Sequence, residues 1–206
     1  TVKGAYVLAP QTPTAWMDGK YGDALWGLIQ EYVKNNGDID ENRIYIGGCS
    51  NGGWMTIDMI TKHPDYFAAA FPICEAKANA DVTDEMIESI KDMPIWFTHA
   101  ANDNTVSIYN KQGGGWGSSG TPTTPQDTFS NNLYIRLINA GATNVHYTLF
   151  ENVNVGGVNY DGHWSWIYTL RDECKNVQPT EGKDGEGLTL DDIGYDKNTE
   201  KVQVEG

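Results

Sequence analysis

Gly48-Cys49-Ser50-Asn51-Gly52 reads G-x-S-x-G, and it lies between an apolar run, Arg43-Ile-Tyr-Ile-Gly47, and a stretch from about Gly53 with helical spacing. A strand that enters a helix through so short a turn fits a parallel sheet covered by helices, which the alternation of strand and helix signals along the chain predicts. The turn forces its central residue into strained backbone geometry, and it asks for small residues two positions to either side, where larger ones would collide with strand and helix. The same geometry lifts the Ser50 hydroxyl above the sheet edge, over the positive end of the helix, where a developing oxyanion is stabilised. A glycine-rich turn holding an ordinary serine is the plainer reading of the pentapeptide alone. The strand before it and the helix after it favour a nucleophile.

The rest of the chain alternates strand and helix signals. Ala5–Ala9 reads as a short buried strand ended by Pro10, with a loop to about Lys20. Residues from about Asp23 to Lys34 place Ala24, Leu25, Leu28, Ile29, Tyr32 and Val33 at helical spacing, and Asn36-Gly37 stops them. Helices are expected over Trp54–Thr61, Thr83–Lys91, Thr128–Ala140 and Trp164–Leu170, and strands over Phe67–Ile73, Ile95–Ala100 and Val145–Phe150. Asn110–Gln126 holds five glycines with Pro122 and Pro125, a long surface excursion of the kind that is often functional. The expected class is α/β, a mostly parallel sheet with helices on both faces, over residues 1–177. Pro179–Gly206 carries eight acidic residues against three lysines with no clear period, so 178–206 reads as an acidic extension or linker.

Charge narrows the partners. Fourteen Lys and Arg against 28 Asp and Glu give a net charge of -14, which opposes nucleic acid and anionic membrane surfaces. The longest apolar stretch, Ala68–Cys74, falls far short of the roughly 18–20 residues that a membrane helix needs. The first residues show no signal-peptide pattern, which a mature or truncated chain would also lack. An acidic, Asn-, Gly- and Trp-rich composition is common in secreted bacterial enzymes, so a secreted or extracellular protein is the expectation. Cys49, Cys74 and Cys174 allow at most one intrachain disulfide, and their spacing is not that of a metal site. Cys49 and Cys74 end strands expected to be neighbours, and a disulfide between them and a pair of buried thiols are equally open readings. No metal and no cofactor is implied.

A serine nucleophile needs a base, and four histidines compete. His63 stands in His-Pro at a helix end, which suits capping. His146 falls within a strand and His99 on another, which suits packing or support. Only His163 lies in a loop after the last sheet strand, where an imidazole can reach a serine with one nitrogen and a carboxylate with the other. Asp103 follows Ile95–Ala100 by a short turn and so reaches the same edge of the sheet. Asn102 and Asn104 beside it cannot carry the charge that stabilises an imidazolium. Glu75, just after a strand, is the main rival, and Asp161 is too near His163 in sequence to be preferred.

The pentapeptide at 48–52, the run His99-Ala-Ala-Asn-Asp-Asn-Thr-Val106 and Asp161-Gly-His-Trp164 together resemble the α/β-hydrolase family. Within it they are similar to carboxylesterases of the feruloyl-esterase, polyhydroxybutyrate-depolymerase and prolyl-oligopeptidase-like kind. The resemblance runs over roughly residues 5–171. It implies an α/β-hydrolase fold and the order nucleophile, acid, base, which Ser50, Asp103 and His163 follow. It implies acyl transfer from an ester, possible substrates being plant-polysaccharide or phenolic esters, with Asn51 N–H in the oxyanion hole. Trp16, Trp116, Trp164 and Trp166 fall in or beside edge loops, where they either pack the loops or stack on substrate. Trp116 and Trp164 are the candidates for substrate contact. A peptidase of the same family, and a carbohydrate-binding or structural module without turnover, are the rival functions. Family members carry further strands and a His-Gly-rich loop with a second oxyanion donor before the segment matched here. The resemblance therefore implies that N-terminal strands come from elsewhere, a second chain being one source.

Overall fold

The computed structural model describes residues 5–100, 103, 105–107, 110–111, 122–124, 129–150, 153–155, 158–160, 163, 195–196 and 201–202. The strands in chain order are β1 (Tyr45–Cys49), β2 (Ala69–Ile73), β3 (Ile95–Ala100), β4 (Asn110–Lys111), β5 (Pro122–Thr124), β6 (Val145–Phe150), β7 (Val153–Val155), β8 (Val158–Tyr160), β9 (Tyr195–Asp196) and β10 (Lys201–Val202). The helices are α1 (Gly22–Asn35), α2 (Asn51–Lys62), α3 (Asp84–Ile90) and α4 (Phe129–Asn139).

β1, β2, β3 and β6 form one parallel sheet in that spatial order. Parallel neighbours need a crossover between them, and right-handed crossovers that all step the same way put their helices on one face. α2 accordingly packs on β1 and β2, α4 on β3 and β6, and α3 between α2 and α4. Alternation decides which side chains meet them: Ala70, Ile95, Phe97, Val145 and Tyr147 are buried on the helix side, whereas Tyr45, Phe71 and Trp96 are exposed on the other. Trp96 is held there by its Nε1–H, which donates to Thr148 Oγ1 at 2.9 Å.

α2 is the most enclosed helix, with Gly53 and every residue from Met55 to Ile60 buried, because the sheet lies on one side and α1 and α3 on others. Its polar Asp58 is buried among them and is paired: one carboxylate oxygen meets Lys77 Nζ at 2.9 Å and the other Lys62 Nζ at 2.8 Å. Lys77 Nζ also sits 4.0 Å from the Trp54 ring centre, so a cation closes the underside of α2. Helix ends follow local chemistry. Thr83 Oγ1 accepts from Met86 N–H at the start of α3. α4 stops at Gly141, φ 91°, where Gly141 N–H donates to Ile138 O and Ala142 N–H to Leu137 O, the left-handed cap that glycine alone adopts without strain.

Element type agrees with expectation along the sheet: β3 and β6 have the expected bounds, and the ends of the other strands and of the helices shift by at most three residues. Two segments differ. Ala5–Ala9 is not a buried strand: Tyr6, Val7 and Leu8 are exposed, and Tyr6 bonds to Asp38. An apolar run makes a strand only beside a hydrogen-bonding neighbour, and among the described residues this segment has none. The stretch after β6, expected as loop, contains the antiparallel pair β7–β8 with Gly156 and Gly157 between them in sequence. β4 pairs β5 within the glycine-rich excursion, and β9 pairs β10 within the acidic extension. The helix expected over Trp164–Leu170 lies outside the described residues.

Ile57 is fully buried at the centre of α2. Ile57→Ala is expected to destabilise the fold by about 2–5 kcal/mol, seen as a lower midpoint in urea denaturation with an unchanged slope.

Candidate active site

The turn at the end of β1 is tighter than its sequence suggests. The strand runs to Cys49 and the helix begins at Asn51, so Ser50 alone reverses the chain. It does so with φ 56° and ψ -112°, a conformation that costs a residue with a side chain about 1–3 kcal/mol. Two hydrogen bonds hold it: Ser50 N–H donates to Ile73 O at 2.9 Å, and Trp54 N–H donates to Ser50 O at 2.9 Å. Of the two flanking glycines, Gly48 is required by contact, since a Cβ there would sit 2.5 Å from the Gly52 carbonyl carbon. The expected steric demand at Gly52 is not found, because a Cβ there meets open space.

Asn51, as the first residue of α2, presents a backbone N–H from the turn that has no intrahelical acceptor, at the positive end of the helix. Its side chain has a separate task. Oδ1 accepts from Met17 N–H at 2.8 Å, which ties the short helical turn Trp16–Asp18 to the serine turn. Nothing in the sequence signalled Met17.

Asp103 and His163 come together beyond the same sheet edge. His163 Nδ1 lies 2.9 Å from Asp103 Oδ2, and both residues are buried. Asp103 Oδ1 accepts from Thr105 N–H at 2.8 Å and Val106 N–H at 2.7 Å, so the backbone of its own turn fixes the carboxylate. His99 supplies a further contact: its Nε2 is 3.3 Å from Asp103 Oδ2 and 2.7 Å from Val106 O. Two acceptors at Nε2 require the proton there, so His99 Nδ1 accepts from Ser130 Oγ–H at 2.8 Å. Burial pushes the Asp103 carboxyl up, but hydrogen bonds from His163 and His99 outweigh it and bring it down to about 2. An ionised carboxylate at Nδ1 puts that proton on Nδ1 and leaves Nε2 able to take another.

Glu75, the rival acid, belongs to a different environment. Its Oε2 accepts from Lys77 N–H at 2.7 Å, while Oε1 is buried with no hydrogen-bond partner among the described residues. Burial raises its carboxyl to about 8, against the smaller opposing effect of Lys77. Cys74, just before it, has φ 35°. Its Sγ is 3.4 Å from Cys49 Sγ, and both cysteines are thiols. The Cys74 thiol is pushed up by its hydrogen bond with Cys49 and by burial. Cys74 Sγ, an Asp103 oxygen and a His163 ring nitrogen all lie within 4.8 Å of one another, a donor set that could take a thiophilic cation in place of protons.

The other expected residues divide cleanly. His63 caps α2, its N–H donating to Met59 O, and its ring stacks on Trp26 at 3.6 Å. His146 is exposed on β6 beside Trp96. Trp16 packs edge-on against Tyr21. Trp116, Trp164, Trp166 and Asp161 lie outside the described residues.

A family model described as the prolyl oligopeptidase family matches residues 16–124. Among solved structures, a thermostable esterase is 32% identical with a TM-score of 0.55, the match covering 77% of this chain and 36% of that one. The acylaminoacyl peptidase of Pyrococcus horikoshii is 16% identical with a TM-score of 0.49, over 80% of this chain and 29% of that one. The chain thus spans little more than a third of the length of the esterase it resembles. No curated protein sequence matches it.

The Glu75 carboxyl sets a pH dependence. Its value of 4.5 in the unfolded chain rises to about 8 on folding, so its contribution to stability is full below 4.5 and is lost as pH rises through 8. Glu75→Gln removes that titration and is expected to raise Tm at pH 8 by on the order of 5 °C, with little gain at pH 4.5, in differential scanning calorimetry.

Proposed function

The chain belongs to the prolyl oligopeptidase family, with the α/β-hydrolase fold, and from that premise we propose that it carries the nucleophile, acid and base of a serine ester hydrolase. The observation that carries the reading is the buried Asp103–His163 pair at 2.9 Å, beyond the same sheet edge as the strained Ser50 turn.

In this reading His163 Nε2 takes the Ser50 hydroxyl proton as Oγ attacks the ester carbonyl carbon. The carbonyl electron pair moves to oxygen, and the Asn51 N–H stabilises the oxyanion. Collapse expels the alcohol, which leaves with the proton from His163, and water then repeats the sequence on the acyl-enzyme to release the acid. Asp103 stays ionised throughout and holds the imidazole in the tautomer that the first step needs, with His99 and the Thr105 and Val106 amides keeping its carboxylate in place.

Ester chemistry is preferred because the 32%-identical structure is an esterase. The family description favours the second reading, a peptidase. Trp116 and Trp164 belong to this proposal as substrate contacts, and plant-polysaccharide or phenolic esters suit such aromatic surfaces. A secreted setting belongs to the same reading.

Hydrolysis of p-nitrophenyl acetate by the full-length protein, lost in Ser50→Ala, is the direct test. Absence of turnover by the intact protein overturns the enzyme reading in favour of a binding module. A higher kcat/KM on short peptide anilides than on acetyl or feruloyl esters moves it to the peptidase. Asp103→Asn is expected to lower kcat by roughly 10⁴-fold at unchanged far-UV circular dichroism, because the amide favours the wrong imidazole tautomer.

A further inference from the structure

Beyond the proposed hydrolysis, the structure places an oxidisable pair beneath the serine turn. Cys49 ends β1 and Cys74 follows β2, and the in-register pairing of Cys49 with Ile73 puts Cys74 one residue beyond its neighbour. Their sulfurs are 3.4 Å apart. Adjacent strands are spaced about 4.8 Å, inside the Cα separation that a disulfide spans. Forming an S–S bond of about 2.05 Å requires the sulfurs to close by little more than 1 Å, within reach of small side-chain rotations. We propose that Cys49 and Cys74 are a redox modification site, whose disulfide clamps the Ser50 turn to the end of β2.

Position suits both thiols to their parts. Cys49 is half-buried and Cys74 buried, so a small oxidant meets Cys49 first. With hydrogen peroxide, the Cys49 thiolate attacks one oxygen; an S–O bond forms, the O–O bond breaks, and the departing hydroxide is protonated to water. Cys74 sulfur then attacks Cys49 sulfur; the S–S bond forms, the S–O bond breaks, and hydroxide leaves with the Cys74 proton as a second water. Two thiols lose two electrons and one peroxide gains them.

The clamp acts where the backbone is most strained. Ser50 and Cys74 have φ 56° and 35°, the two positive values among the described non-glycine residues, and they stand at neighbouring strand ends. Only non-covalent ties now hold them: Ser50 N–H donates to Ile73 O and Trp54 N–H to Ser50 O, and Cys74 N–H donates to Thr98 O. A covalent tie between residues 25 apart removes conformations from the unfolded chain and leaves this strained pair of turns closed.

The test uses the chain of residues 1–206 carrying Cys174→Ser, so that of its three cysteines only this pair remains, reduced and then treated with hydrogen peroxide. Expected are a mass loss of about 2 Da, a peptide joining Cys49 to Cys74 in a non-reducing digest, and a reversible Tm rise of roughly 5–10 °C. Cys49→Ser in the same background is expected to show neither the mass loss nor the rise. Peroxide that instead adds oxygen to Cys49 without a crosslink, links two chains, or forms the disulfide with no gain in Tm overturns the proposal. The parent chain reports on every outcome even if a serine variant fails to fold. None of these measurements reads hydrolysis, so failure here and failure of the esterase reading are separate results.

Discussion

A single residue turns the chain from β1 into α2, and the rest of the molecule is arranged to make that possible. Ser50 holds its positive φ because it is fixed from both sides, by the Ile73 carbonyl of the next strand and by the first hydrogen bond of the helix. The cost of the conformation is met by what surrounds it: Gly48 leaves the space that α2 occupies, and the buried face of α2 fastens the helix to the sheet. Met17 adds a third tie through the Asn51 side chain. A strained backbone persists only when its neighbours over-determine it, and these neighbours do so.

The same principle organises the buried charges. Asp103 is ionised in the interior because two backbone amides and two imidazoles face its oxygens, and their combined effect exceeds the cost of burial. Asp58 is sustained by Lys62 and Lys77 in the same way. Glu75, two residues from Lys77, receives one amide hydrogen bond and no more among the described residues, so burial wins and its carboxyl favours the neutral form. Two of the three buried carboxyls, Asp103 and Asp58, thus favour the ionised form and Glu75 the neutral one, according to the donors that reach them.

Much of this was legible in advance. The four sheet strands and four helices announce themselves by periodicity, and the serine turn by its glycines and flanks. Ala5–Ala9 misled because a short apolar run ended by proline suggests a buried strand and says nothing about whether a neighbouring strand is there to complete its hydrogen bonds. The β7–β8 pair is visible as Val-Asn-Val-Gly-Gly-Val-Asn-Tyr, a two-glycine hairpin signal. His99 was legible only as a packed strand histidine. Its contact with Asp103, four residues on, depends on how the turn after β3 folds back, which no local pattern encodes.

The sequence by itself determined the class of fold, the identity of the strained serine and the order in which candidate acid and base follow it, because these rest on periodicity, turn chemistry and spacing along the chain. It left two carboxylates, Asp103 and Glu75, in contention for the imidazole, and it left a disulfide and a pair of buried thiols equally open for Cys49 and Cys74. Tertiary structure decided which carboxylate meets the imidazole and how near the two sulfurs lie, since each depends on distances across strands. Asp103 turns back over the sheet edge to meet His163, Glu75 turns toward Lys77, and the register of β1 with β2 brings two sulfurs 25 residues apart to 3.4 Å.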